Sequence, residues 1–190
     1  SATALPEWKG LSPKGRDLVQ RANRLGILLD VSHASDAVFD QMLALSRAPI
    51  IASHSSSRAV NPHPRNLDDN RVRQLAAKGG VIQVNAYSDY LIPLKQNPER
   101  NKAMAALGAR FHNLAALSPE QVKDLYQERD TINERFAQPK ADLDVFMKHL
   151  LHLLEVAGPE HVGIGADWDG GGGLTDLEDV SQLPAITQRL

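Results

Sequence analysis

Apolar residues along this chain fall into two kinds of run. Short, nearly continuous ones occur at 27–31, 49–52, 80–86 and 161–167, and between them apolar positions recur every three or four residues. The continuous runs predict parallel strands covered on both faces, and the spaced ones predict amphipathic helices. Ser12 and Pro13 suit the cap and first position of a helix whose apolar face is Leu18, Val19, Ala22 and Leu25, and Gly26 ends it. Ser35 caps a second helix that turns Val38, Phe39, Met42 and Leu43 inward. A third opens at Asp68 or Asp69, carries Val72, Leu75 and Ala76, and closes on Lys78 and Gly79. The most regular segment is 141–157, where Leu143, Phe146, Met147, Leu150, Leu153, Leu154 and Ala157 form one stripe before Gly158-Pro159 stops it. Residues 1–11 read as a loop leading into the first helix.

Four strands alternating with helices predict an α/β fold of parallel βαβ units. Four strands do not close a (β/α)8 barrel, so the pattern fits a half-barrel, an open sheet or part of a larger protein. The alternation breaks over 87–138, which holds Pro93, Pro98 and a helix capped by Ser118-Pro119. That stretch is too long for a simple connection and reads as a helical insertion over one end of the barrel.

Composition narrows the chemistry. The 190 residues carry a formal net charge of −2 with 42% apolar and 23% charged residues, and no basic block offers a nucleic-acid surface. Cysteine is absent, so any metal must be held by His, Asp or Glu. No run of 18 apolar residues and no charged-then-apolar leader occurs, which leaves localisation open.

The polar residues suited to chemistry follow strand ends: His33, His54, Asn85 and Asp167. In a (β/α)8 barrel, catalysis happens on that face. His33 and His54 each close a Ser-His pair on neighbouring strands. Side by side they make half of a metal site, to be completed by a carboxylate or water; alternatively each bonds a local backbone group. Asp167 is placed to move a proton, whereas Asp169, deeper in the Gly-rich turn, orders that turn. Arg65 and Arg58 compete to pair with a substrate carboxylate, or else are solvated loop residues. The SHSSSR segment, 53–58, could cradle phosphate but lacks glycines. His149 and His152 have ligand spacing but lie off the apolar stripe, so they read as a solvated face. His63 is a loop residue near Arg65, His112 and His161 show no partner, and Asp176, Glu178 and Asp179 read as solvated loop and helix cap.

The motifs LLDVSHAS, SRAPIIASHSSSRAV, HPRNL, VIQVN and HVGIGADWDG, with the helix entry GLSPKGRDLVQRANRLGI, resemble the membrane (renal) dipeptidase family of zinc peptidases. The resemblance runs from about Gly10 to Leu190 and is loosest over 87–138. It implies a (β/α)8 TIM barrel, of which this chain supplies about four β/α units, strands five to eight. It implies a two-zinc centre in which His33 and His54 bind one zinc, with a metal-bridging hydroxide attacking the peptide bond. Arg65 matches the arginine that receives the substrate's terminal carboxylate, Asp167 matches the proton-transferring aspartate, and Tyr90 falls in the region lining the substrate pocket. The family's His-x-Asp motif, bridging glutamate and carbonyl-polarising histidine have no counterpart here.

The expectation is therefore the C-terminal part of a zinc-dependent dipeptidase. Its partners would be a dipeptide and the remainder of the same barrel, with a homodimer left open. The 190 residues alone are expected to be inactive. The rival readings are another metal-dependent amide or ester hydrolase of the same barrel class, or an inactive homologue serving as a binding module.

Overall fold

In the computed structural model, which describes residues 7–190, the first helix starts at a proline, as its sequence dictates. Ser12 caps α1 (Pro13–Leu25) by accepting the N–H of Gly15, and Gly26 stops it in the left-handed region at φ 70°. Then follow β1 (Leu29–Asp30), α2 (Asp36–Leu45), β2 (Ile50–Ser55), α3 (Asp69–Ala77), β3 (Val81–Val84) and the short α4 (Ser88–Leu91). Asp68 caps α3 through the N–H of Arg71. The expected loop over 1–11 lies partly outside the described residues, and its remainder is irregular.

Two compact units emerge. The smaller, residues 94–139, is helical: α5 (Pro98–Arg110) packs on α6 (Pro119–Arg135), with an Arg110–Glu128 ion pair and Arg100 donating to Asn133. Ser118 and Gln121 form a reciprocal capping box at the start of α6. The larger unit resumes with α7 (Leu143–Ala157), β4 (Val162–Ile164) and the single-turn α8 (Pro184–Thr187).

The four strands lie in the order β1-β2-β3-β4, all parallel, so the chain has an α/β fold with a parallel sheet. Leu29, Val31, Ile50, Ala52, Ile82 and Val84 face the helices and meet Phe39, Val72, Leu75, Phe146 and Leu153 in one buried cluster. β2 carries one extra residue between Ala52 and Ser55 relative to β3, a bulge where the sheet approaches the site.

Two expectations fail at the β1 edge. The 27–31 run yields only a two-residue strand, and Ile27 and Leu28 are 56% and 57% exposed rather than covered. On α1 the buried pair is Val19 and Ala22, while Leu18 and Leu25 are largely exposed. The helix is rotated so that Val19 and Ala22 enter the buried cluster and the flanking leucines stay at the surface. Among the described residues, no helix is long and apolar enough to cross a membrane.

Candidate active site

β1 and β2 deliver the two histidines to one place. The imidazoles of His33 and His54 meet edge to face, with ring centroids 5.0 Å apart and Nε2 atoms 2.9 Å apart. Neither ring makes only the local backbone bond that was the alternative reading. Burial above all, then the charges of Arg65 and His54, lowers the pKa of His33 from its ordinary value, with Asp167 and Asp30 opposing. His33 is therefore neutral near pH 7, the form that ligates metal.

Behind the rings lies a polar bracket that the sequence reasoning missed. The Asp30 carboxylate accepts the Ser32 N–H at 2.9 Å, the Ser32 hydroxyl at 2.7 Å, the Ser53 N–H at 3.1 Å and the Ser53 hydroxyl. Ser53 Oγ also lies 2.8 Å from His54 Nδ1, and Ser32 Oγ accepts the His54 N–H at 3.0 Å. Burial on its own would raise the pKa of Asp30, but the bonds from Ser53 and Ser32 outweigh it and hold the carboxyl below its ordinary range. The available signal was period two: Asp30 is the one charged residue in an apolar run, facing opposite to Leu29 and Val31.

Arg65 is only 4% exposed, and its Nε and Nη1 have no hydrogen-bond partner among the described residues. Its Nη2 reaches to 3.3 Å from His33 Nε2, and its guanidinium carbon sits 5.0 Å from the centroid of the Tyr90 ring. Tyr90 also packs on His63 and Tyr87 at 4.7 Å, so an aromatic wall backs the cation. Arg58 is fully committed elsewhere. It grips Asp36 through two 2.7 Å bonds and donates to the Asn66 carbonyl at 2.8 Å.

Asp167 follows β4 at φ 60°, the one non-glycine with positive φ among the described residues. Its carbonyl accepts the N–H groups of Gly170 at 3.0 Å and Gly172 at 2.7 Å, which holds the turn. A Cβ on Gly170 would fall 2.2 Å from Asp167 Oδ1, so a side chain there would make the carboxylate shift from its observed position. Asp169 is exposed in that turn.

The other candidates are structural. Asn85 is fully buried, donating to the His54 carbonyl at 3.4 Å and accepting the Tyr87 N–H. Ser55, Ser56 and Ser57 are buried rather than open to phosphate. His149 is not on a solvated face: it is completely buried, and both ring nitrogens have backbone partners. His152 is half-buried, 2.8 Å from Asp69, while His161 contacts the Gly80 carbonyl and His112 the Ala109 carbonyl.

Among the described residues no group of three or more His, Asp or Glu side chains could hold a metal by itself. The two imidazoles nevertheless fit half of a zinc site. Two nitrogens bound to one tetrahedral zinc lie about 3.3 Å apart, and the observed 2.9 Å is close to that spacing.

Comparison with known proteins agrees. The membrane dipeptidase model, peptidase family M19, matches residues 1–190. The dipeptidase TcpJ of Claviceps purpurea is 32% identical over 188 residues, covering 98% of this chain and 34% of that protein. The crystal structure of the probable dipeptidase PvdM from Pseudomonas aeruginosa superposes with a TM-score of 0.75 at 32% identity, over 99% of this chain and 50% of that one. A Rhodobacter sphaeroides metallopeptidase bound to a phosphinate mimic of L-Ala-D-Ala gives 0.68 at 28% identity, over 96% and 40% of the two chains. A parallel α/β unit with paired strand-end histidines and a family of metal-dependent dipeptidases thus coincide. The chain belongs to the membrane dipeptidase family, and it spans about a third of the length of the curated relatives it matches.

Proposed function

We propose that this chain forms strands five to eight of a (β/α)8 barrel and carries part of a zinc-dependent dipeptidase site. Half-coverage of the Pseudomonas chain supports this, as does the open edge of β1, where another strand would cover the exposed Ile27 and Leu28. In this reading residues 94–139 are an insertion between β3 and α7.

Arg65 carries the functional reading. A buried guanidinium with two unpartnered nitrogens is costly unless an anion meets it, and its planar fork matches a carboxylate. The terminal carboxylate of a dipeptide is that anion, and Tyr90 bounds the space in which it sits. The closeness of Arg65 to His33 leaves little room between the carboxylate anchor and the scissile bond, which favours substrates with one residue beyond it.

His33 and His54 would hold one zinc of a pair through Nε2. When bound, zinc supplies the Lewis acidity that activates water near neutral pH and polarises a carbonyl. Asp167 takes a proton on its carboxylate from the attacking water and passes it to the departing amine. Asp30, Ser32 and Ser53 keep His54 in place.

In the full-length enzyme, Arg65→Met should lower kcat/KM for a dipeptide by roughly 100-fold, the value of a lost charged hydrogen bond, mainly through KM. The same variant should hardly alter turnover of the matching dipeptide amide. Equal losses on both substrates would point to another amide hydrolase of this barrel class.

A further inference from the structure

The hydroxyl of Ser53 stands between two groups with opposite needs. On one side is the Asp30 carboxylate, which can only accept; on the other is Nδ1 of His54 at 2.8 Å, which can do either. Ser53 has one proton. Asp30 must receive it, because a carboxylate facing a bare hydroxyl oxygen at hydrogen-bond distance would meet lone pair with lone pair. The Ser32 hydroxyl does not replace it: Ser32 lies 3.2 Å from Ser53 Oγ, but its proton has the shorter bond to Asp30 Oδ1 at 2.7 Å, and its oxygen accepts the His54 N–H.

The proton in the Ser53–His54 bond must then come from the imidazole. We infer that Asp30 and Ser53 form a relay that fixes His54 as the Nδ1–H tautomer and leaves the lone pair of Nε2 facing His33. Ser53 and Asp30 are positioning residues in this scheme; they touch neither substrate nor metal.

The opposite nitrogen is set independently. Arg65 can only donate, and its Nη2 lies 3.3 Å from His33 Nε2, so that nitrogen also carries no proton, its lone pair facing the guanidinium. Two unprotonated imidazole nitrogens 2.9 Å apart cannot hydrogen-bond to each other, whereas a cation between them could be bound by both. The relay therefore predisposes this pair to a divalent metal instead of a histidine–histidine hydrogen bond. Metal-ligating histidines commonly have the second ring nitrogen held by a carboxylate; here a serine hydroxyl is interposed. The tautomer assignment is independent of the dipeptidase proposal, whereas its use in metal binding rests on that proposal.

Long-range ¹H–¹⁵N spectra of the metal-free full-length protein test the relay, and zinc titration followed in the same spectra tests its use. The expected result is a protonated Nδ1 and bare Nε2 on His54 in the wild-type chain. Ser53→Ala should release the ring to the Nε2–H form or a mixture and weaken zinc binding about 10- to 100-fold, the usual effect of losing such a partner. Ser53→Thr, which keeps the hydroxyl, should restore both. A wild-type His54 protonated on Nε2 overturns the relay without recourse to any variant. A folded Ser53→Ala chain with unchanged tautomer and zinc affinity does the same. Zinc that leaves a correctly tautomeric His54 unshifted upholds the relay and sinks the metal reading.

Discussion

His149 accepts the backbone N–H of Ser57 through Nδ1 at 3.1 Å, although 92 positions of sequence separate the two. Its Nε2–H donates to the Leu91 carbonyl at 3.0 Å, so one ring ties α7 to the loop after β2 and to the end of α4. Only the neutral imidazole satisfies both bonds. Burial above all lowers its pKa from the ordinary 6.5, with the Leu91 bond opposing and His152 adding to the effect.

A histidine whose pKa falls on folding binds fewer protons folded than unfolded. Its contribution to stability is complete above the unfolded value of 6.5 and is lost as pH drops below it, towards the lower folded pKa. Wild-type urea midpoints should therefore fall between about pH 7.5 and pH 5.5, and His149→Gln should have the shallower slope. Identical slopes would remove His149 from the account. His149→Leu, which strands the Ser57 N–H and the Leu91 carbonyl, should cost about 2–4 kcal/mol at neutral pH.

Asp167→Asn separates chemistry from architecture. Asparagine tolerates positive φ well, so the turn should survive. In the full-length enzyme the variant should keep its zinc, by metal analysis, yet lose most of its dipeptide turnover, about 100-fold or more for a lost proton-transfer group. Wild-type turnover would remove Asp167 from the mechanism. His33→Ala should instead lose metal.

Gly165 is a steric requirement. A Cβ there would lie 1.9 Å from the Ser53 carbonyl oxygen, an atom of backbone that cannot swing away. Gly165→Ala should destabilise the chain by about 1–3 kcal/mol in urea unfolding, the usual cost of overpacking. Because the displaced strand carries Ser53, the His54 ring resonances should shift as well. A variant with an unchanged midpoint would mean the strands can part at little cost.

The 190-residue chain with added zinc should hydrolyse no dipeptide, since two imidazoles supply too few ligands for a two-zinc centre. Hydrolysis that a chelator abolishes would show that a complete site assembles from this chain.

Much of the fold was legible because several signals agreed. Ser12-Pro13 and Gly26 bounded α1, and the stripe of α7 left little choice. What stayed hidden was decided by neighbours. Leu18 and Leu25 share α1's apolar side, but only Val19 and Ala22 are buried. His149 sits at the margin of α7's stripe, and periodicity could not tell that two backbone groups there would take both its nitrogens. Strand-end position brought His33 and His54 together on paper as well as in space. Arg58 and Arg65 were equivalent on residue chemistry alone, and the family resemblance favoured Arg65. The structure adds the physical reason, Arg58 gripping Asp36 and Arg65 keeping two nitrogens without a partner among the described residues.

The extra residue in β2 has a wider consequence. Successive side chains of a pleated strand point to opposite faces, so a regular β2 could present either His54 or Ser53 at the mouth, not both. The irregularity lets neighbours in sequence become partners in space. Removing one residue at this point would leave the hydrophobic pairing of Ile51 with Val81 intact. It would restore strict alternation beyond, with the imidazole in the place of Ser53 and no hydroxyl beside its Nδ1. The loss would be invisible to any measure of helix or strand content, because what fails is the contact between one hydroxyl and one imidazole.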